Sequence, residues 1–175
     1  MPETKNISDV VRAALQSRVT KVLPTQIREC VKQLSEEQLW WRPDEESNSV
    51  GNLVQHVSGS MMHYLCRNVG GFEYERNRTA EFVERGLMSK QQLLVMFDET
   101  IEKAAQTFDS LNTSHLMKAS TEPAYYDFAL EDLLGVAIHM ATHTGQIVYI
   151  TKMVKEGSLN ELWMRAHKMH GVWKT

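Results

Sequence analysis

Leu133-Leu134-Gly135-Val136-Ala137-Ile138-His139-Met140-Ala141-Thr142-His143-Thr144-Gly145-Gln146-Ile147-Val148-Tyr149-Ile150 contains no Asp, Glu, Lys or Arg. Its apolar residues do not alternate with period two, so it reads as a helix whose polar stripe is His139, His143 and Gln146. A solvated face would carry Lys and Glu instead. Two imidazoles four residues apart are separated by a rise of about 6 Å and a turn of roughly 40°, so both rings can lean over one spot and share one ion. The pair is then half of a metal site. The competing interpretation is two core histidines, each needing a buried hydrogen-bond partner to offset desolvation. The run approaches membrane-spanning length, but its His and Thr residues and Gln146 interrupt the apolarity, which predicts a buried core helix rather than a span.

Working outward, four long helical segments can be drawn, and the class is all-α. The run above belongs to the fourth, from about Asp127 to Glu156, stopped by Gly157. The first extends from about Ile7 to Leu34, with Pro24 set to kink or split it. Ser35 and Gln38 form a capping-box pattern before a short helical turn that Arg42-Pro43-Asp44 ends. The second long helix spans Ser49 to Asn68 and carries Leu53, His56, Val57, Met61 and Leu65, with Gly70-Gly71 closing it. The polar stretch 69–88 is long enough to travel the length of a bundle, so the third helix, opened by Ser89 and Gln92, can run parallel to the second. A linker from Leu111 to Tyr125 follows that helix, and an aromatic tail from Leu159 to Thr175 with His167 and His170 follows the fourth.

The chain of 175 residues reads as one domain, 1–175, able to bury a core without disulfides. A formal net charge of −3 leaves no basic footprint for a phosphate backbone, so nucleic acid is not an expected partner. Cys30 and Cys66 form no Cys-x-x-Cys pair and suit buried thiols in a reducing cytoplasm. No secretory signal is visible in Met1–Asn6, and neither a membrane span nor a membrane partner is expected. The ten methionines are flexible core filler.

The third ligand has to come from another element. His56 is the best candidate, because it lies mid-way along an amphipathic helix able to face the fourth, and Asn52 projects one turn before it. His63, about 10 Å further along the axis, is too distant to share the same ion. His115 sits in a linker.

Four pieces occur in a telling order: Trp41-Arg42-Pro43, the segment Asn48 to Gly59 around His56, the segment Arg76 to Phe82, and His139 to Lys152. In that order and spacing the chain, from about Val10 to Lys155, resembles the DinB/YfiT-like superfamily of metal-binding four-helix-bundle proteins, in its branch of uncharacterised bacterial proteins. The resemblance implies an up-down-down-up bundle with a long crossover between helices two and three, often a homodimer. It also implies a divalent ion held by His56, His139 and His143. The tail from Trp163 to Trp173 matches none of the superfamily's motifs.

Three neutral imidazoles leave an ion's charge uncompensated and coordination positions open, as in catalytic rather than structural sites. Zinc and nickel both suit imidazole. Met140 stands where a His-Glu-x-x-His peptidase needs its Glu, and no Ser-His-Asp order or glycine-rich phosphate loop is present. No general acid or base is identifiable. Asn52 and Gln146 are candidates for orienting a ligand or lining a substrate pocket, and Asp132 for orienting a ligand histidine. Characterised relatives within the superfamily include transferases and an isomerase that use low-molecular-weight thiols. The resemblance therefore implies a metal-dependent thiol S-transferase acting on a small molecule. The alternatives are a metal-dependent hydrolase and a non-enzymatic metal-binding stress-response protein.

Overall fold

The computed structural model describes residues 6–112, 114–119 and 127–156. These residues are largely helical and contain no strand, only an isolated antiparallel bridge between Ala119 and Phe128. The tail from Leu159 to Thr175, with His167 and His170, lies outside the described residues, as does part of the linker before Asp127.

The first long rod joins α1 (Ile7–Ser17) and α2 (Leu23–Gln33) through a wider turn at Arg18–Val22. Pro24 has no amide hydrogen, and in a regular helix its ring would crowd the carbonyl four residues back. The chain answers with an i→i+5 turn, in which the Leu23 N–H bonds the Arg18 carbonyl, and the rod continues without splitting. Ser35 and Gln38 cap α3 (Glu36–Trp40) reciprocally, as their spacing predicts.

The second rod begins as α4 (Val50–Met61), which is buried almost all round, and reaches Arg67 through another wide turn. Gly71 then turns the chain with φ of 73°, a left-handed conformation that glycine adopts without a Cβ penalty. The polar stretch that follows is not wholly irregular. It contains α5 (Arg78–Val83), which packs on α4 and is capped by Asn77, whose side chain accepts the Ala80 N–H at 3.1 Å. α6 (Lys90–Ser110) starts at the predicted Ser89–Gln92 box, and α7 (Ala129–Val154) is the last described helix.

The core lies where α2, α4, α6 and α7 meet, and includes Ile27, Val57, Phe97, Phe108, Leu133 and Ile147. Buried threonines at 100, 107, 144 and 151 give their hydroxyl hydrogens to the carbonyls four residues back, which satisfies them inside apolar surroundings. Burial pushes the Cys30 thiol up to about 11 and that of Cys66 to about 12. Both remain protonated at neutral pH, so neither supplies a thiolate.

One expectation is corrected here: α7 is buried along one face only. Leu133, Val136, Met140, Thr144, Ile147 and Thr151 recur on the inner side. Leu134, Ile138, Tyr149 and Met153 face outward, and Ile138 and Tyr149 are each 66% exposed. An apolar circumference predicts full burial from sequence, yet here too few neighbouring helices surround it. By length and composition α7 is the one helix among the described residues long and apolar enough to cross a membrane.

Candidate metal centre

The direct packing of α4 on α7 brings His56 against the His139/His143 pair. His56 Nε2 lies 3.0 Å from His139 Nε2, and His143 Nε2 lies 3.1 Å from that same atom. The ring centroids are 4.4 to 4.9 Å apart in steep edge-on arrangements, so the nitrogens rather than the ring faces converge. Among the described residues, this is the group of His, Cys, Asp or Glu that can hold a metal ion.

The proton positions show why a cation fits. His56 Nδ1 lies 2.8 Å from Glu81 Oε2, and His143 Nδ1 lies 2.6 Å from Gln146 Oε1. A carboxylate or amide oxygen can only accept, so both Nδ1 atoms carry hydrogens. In the neutral rings, both Nε2 atoms then point lone pairs at His139 Nε2. That atom has at most one hydrogen to share, so at least one contact sets lone pair against lone pair. A divalent ion removes the conflict: nitrogens about 2.0–2.1 Å from a tetrahedral zinc stand roughly 3.3 Å apart, close to the observed spacing.

The surroundings disfavour the charged form of the two α7 rings. Burial, together with the neighbouring His143, His56 and Arg76, pushes His139 down to about 4. Burial also lowers His143, against the Gln146 hydrogen bond, which opposes it. Burial alone would raise Glu81, but hydrogen bonds from His56 and Arg76 and the Arg76 charge together hold its carboxyl below the usual range. Glu81 is therefore an anion aimed at His56, the carboxylate–histidine arrangement that fixes tautomer and orientation in metal sites.

Glu81 and Arg76 are the participants missed by sequence reasoning. Arg76 donates to Glu81 from Nε at 2.7 Å and from Nη2 at 2.9 Å, a two-point grip on a carboxylate that is itself 6% exposed. Gly59 on α4 makes room for it: a Cβ at that position would overlap the Glu81 carboxylate. The segment Arg76 to Phe82 is one of the pieces carrying the resemblance, but no helical or ligand spacing links a crossover carboxylate to a histidine twenty-five residues earlier.

The other candidates divide. Gln146 contacts His143 directly. Asn52 instead closes the α4 cap with Ser49 and donates from Nδ2 to the carbonyls of Glu81 and Glu84, both at 3.1 Å. It therefore holds the strand of chain that holds His56. Asp132 is buried two turns before His139. His63 packs edge-on against Tyr64, and His115 Nδ1 accepts the Asn112 N–H at 3.3 Å, so neither joins the cluster.

A pH dependence follows for metal-free protein. The unfolded chain takes up a proton on His139 near pH 6.5, whereas the folded chain resists until about 4. The His139 contribution to stability should therefore be full above about pH 6.5, decline as pH falls toward 4, and level off below it. Solvent screening of this half-buried ring reduces the effect to about 1–2 kcal/mol. Glu81, lowered in the fold, adds an acid loss of the same sign. Urea midpoints at several pH values, compared with those of His139→Gln, measure the slope; equal slopes would remove His139 as its source.

A sequence model of the family described as "Protein of unknown function (DUF1572)" matches residues 8–167. No curated protein matches the chain.

Proposed function

We propose that this chain, which belongs to the DUF1572 family, is a divalent-metal-dependent enzyme that transfers low-molecular-weight thiols to electrophilic small molecules. The observation that carries the proposal is the convergence of three histidine Nε2 atoms whose proton positions leave lone pairs facing inward. His56, His139 and His143 are the proposed ligands of zinc or nickel, with Glu81 and Gln146 orienting two of them. Such an ion supplies Lewis acidity and favours a thiol in its thiolate form at neutral pH. The protein's own cysteines are buried and protonated, which supports an external thiol as nucleophile.

The same proposal includes a DinB/YfiT-like four-helix bundle of up-down-down-up topology, a single domain over 1–175 and a cytoplasmic setting. The rods α1–α2, α4, α6 and α7 supply the four long elements. A homodimer is part of it too, supported by the outward apolar row Leu134, Ile138, Tyr149 and Met153 on α7.

The test is conjugation of bacillithiol, mycothiol, glutathione and coenzyme A to a generic electrophile by zinc- or nickel-loaded protein. Acceleration that chelation removes, and that His143→Ala abolishes, is the expected result. Ester or amide cleavage in its place would turn the assignment to a hydrolase. Metal binding with neither activity would turn it to a non-enzymatic metal-binding protein.

A further inference from the structure

Beside the histidine cluster lies a cavity of 280 Å³ lined by His56, Ser60, Tyr64, Arg76, Arg78 and His139, among others. That volume falls just below the range for drug-sized ligands, so a small molecule is the occupant it suits. Its two cations are not equivalent. Arg76 is committed to Glu81 through two nitrogens, so this pair is nearly charge-balanced. Arg78 makes no hydrogen bond or ion pair among the described residues. Its guanidinium lies 5.2 Å from the centre of the Phe82 ring, whose centre is 4.7 Å from that of His56. The uncommitted, solvent-exposed charge is therefore at most about 10 Å from the centre of the His56 ring, over the face of Phe82.

We infer that this cavity binds a small thiol bearing a carboxylate, with Arg78 the side chain that selects the carboxylate while the sulfur sits at the three-histidine cluster. The inference rests on the proposed metal site and names the class of thiol it takes. One free guanidinium offers the planar fork that matches one carboxylate. A phosphate dianion would call for further donors, and the second arginine is already engaged. Ser60 and Tyr64 also line the cavity.

Calorimetric titration of zinc-loaded protein with 3-mercaptopropionate and with 1-propanethiol tests this without any assay of turnover. Wild type should prefer the carboxylate by about fivefold, the upper end for an exposed charge pair. Arg78→Gln should bring the preference within about twofold while zinc content and propanethiol affinity stay unchanged, and Arg78→Lys should retain part of it. Equal binding of the two thiols by wild type, or a preference that survives Arg78→Gln, overturns the inference. Should wild type hold no zinc, the metal assignment fails separately, and the same comparison is made on the metal-free chain. There a carboxylate preference removed by Arg78→Gln sustains the cavity's role, and no preference overturns it.

Discussion

His139→Ala should lower divalent-metal affinity by at least about 100-fold, against a wild type that takes up one ion per chain. His139 Nε2 is the middle atom of the cluster, 3.0 Å from His56 Nε2 and 3.1 Å from His143 Nε2. Its loss leaves two protein ligands held on different helices. With binding free energies of roughly 10–16 kcal/mol for complete four-ligand zinc sites, one ligand accounts for about 3 kcal/mol, which is the stated factor. Competition against a chelating dye, with metal content measured on untagged protein, reads the effect. His56→Ala and His143→Ala should behave alike, whereas His63→Ala and His115→Ala serve as controls outside the cluster. Undiminished occupancy in His139→Ala would exclude it as a ligand. The apolar core does not depend on the ion, so all five variants should fold without it, and saturating zinc at 100 times Kd should add about 2.7 kcal/mol to wild type.

Glu81→Ala should damage stability and metal affinity together. The Arg76 side chain is 10% exposed and its charge is answered by this carboxylate, so removing one partner strands a buried cation at a cost of about 3–5 kcal/mol. The His56 ring also loses the acceptor that fixes its tautomer, which should weaken metal binding about 10–100-fold. The double variant Glu81→Leu with Arg76→Met separates the two effects. It leaves no buried cation, so it should recover most of the stability while the metal affinity stays depressed. Gly59→Ala should push in the same direction as Glu81→Ala, because the added methyl occupies the carboxylate's place. Urea unfolding and metal titration on one set of samples provide both readouts. A Glu81→Ala protein within 1 kcal/mol of wild type that binds metal normally would remove Glu81 from the site.

Much of this centre is legible along the chain because helical periodicity is a local rule. His139 and His143 lie four apart on one helix, and no tertiary contact is needed to put them on a common side. The capping boxes at Ser35 and Ser89 are equally local, each a hydroxyl and an amide three residues apart satisfying free backbone groups. His56 is intermediate: the sequence places it mid-way along α4, and the family resemblance singles it out, but the contact with α7 depends on how the two helices pack.

The carboxylate behind His56 was decided by tertiary structure alone. Glu81 sits in a crossover whose charged composition reads as solvated chain. There it forms a short helix, finds Arg76, and enters the space above Gly59. No periodic pattern encodes such an encounter, since it depends on the mutual attraction of two charges offsetting the cost of taking both out of water. The exposure of α7 is of the same kind. Its apolar residues are written all round the helix, but which of them meet the core is set by the number of helices that pack around it, so Leu133 and Ile147 are buried while Ile138 and Tyr149 face outward.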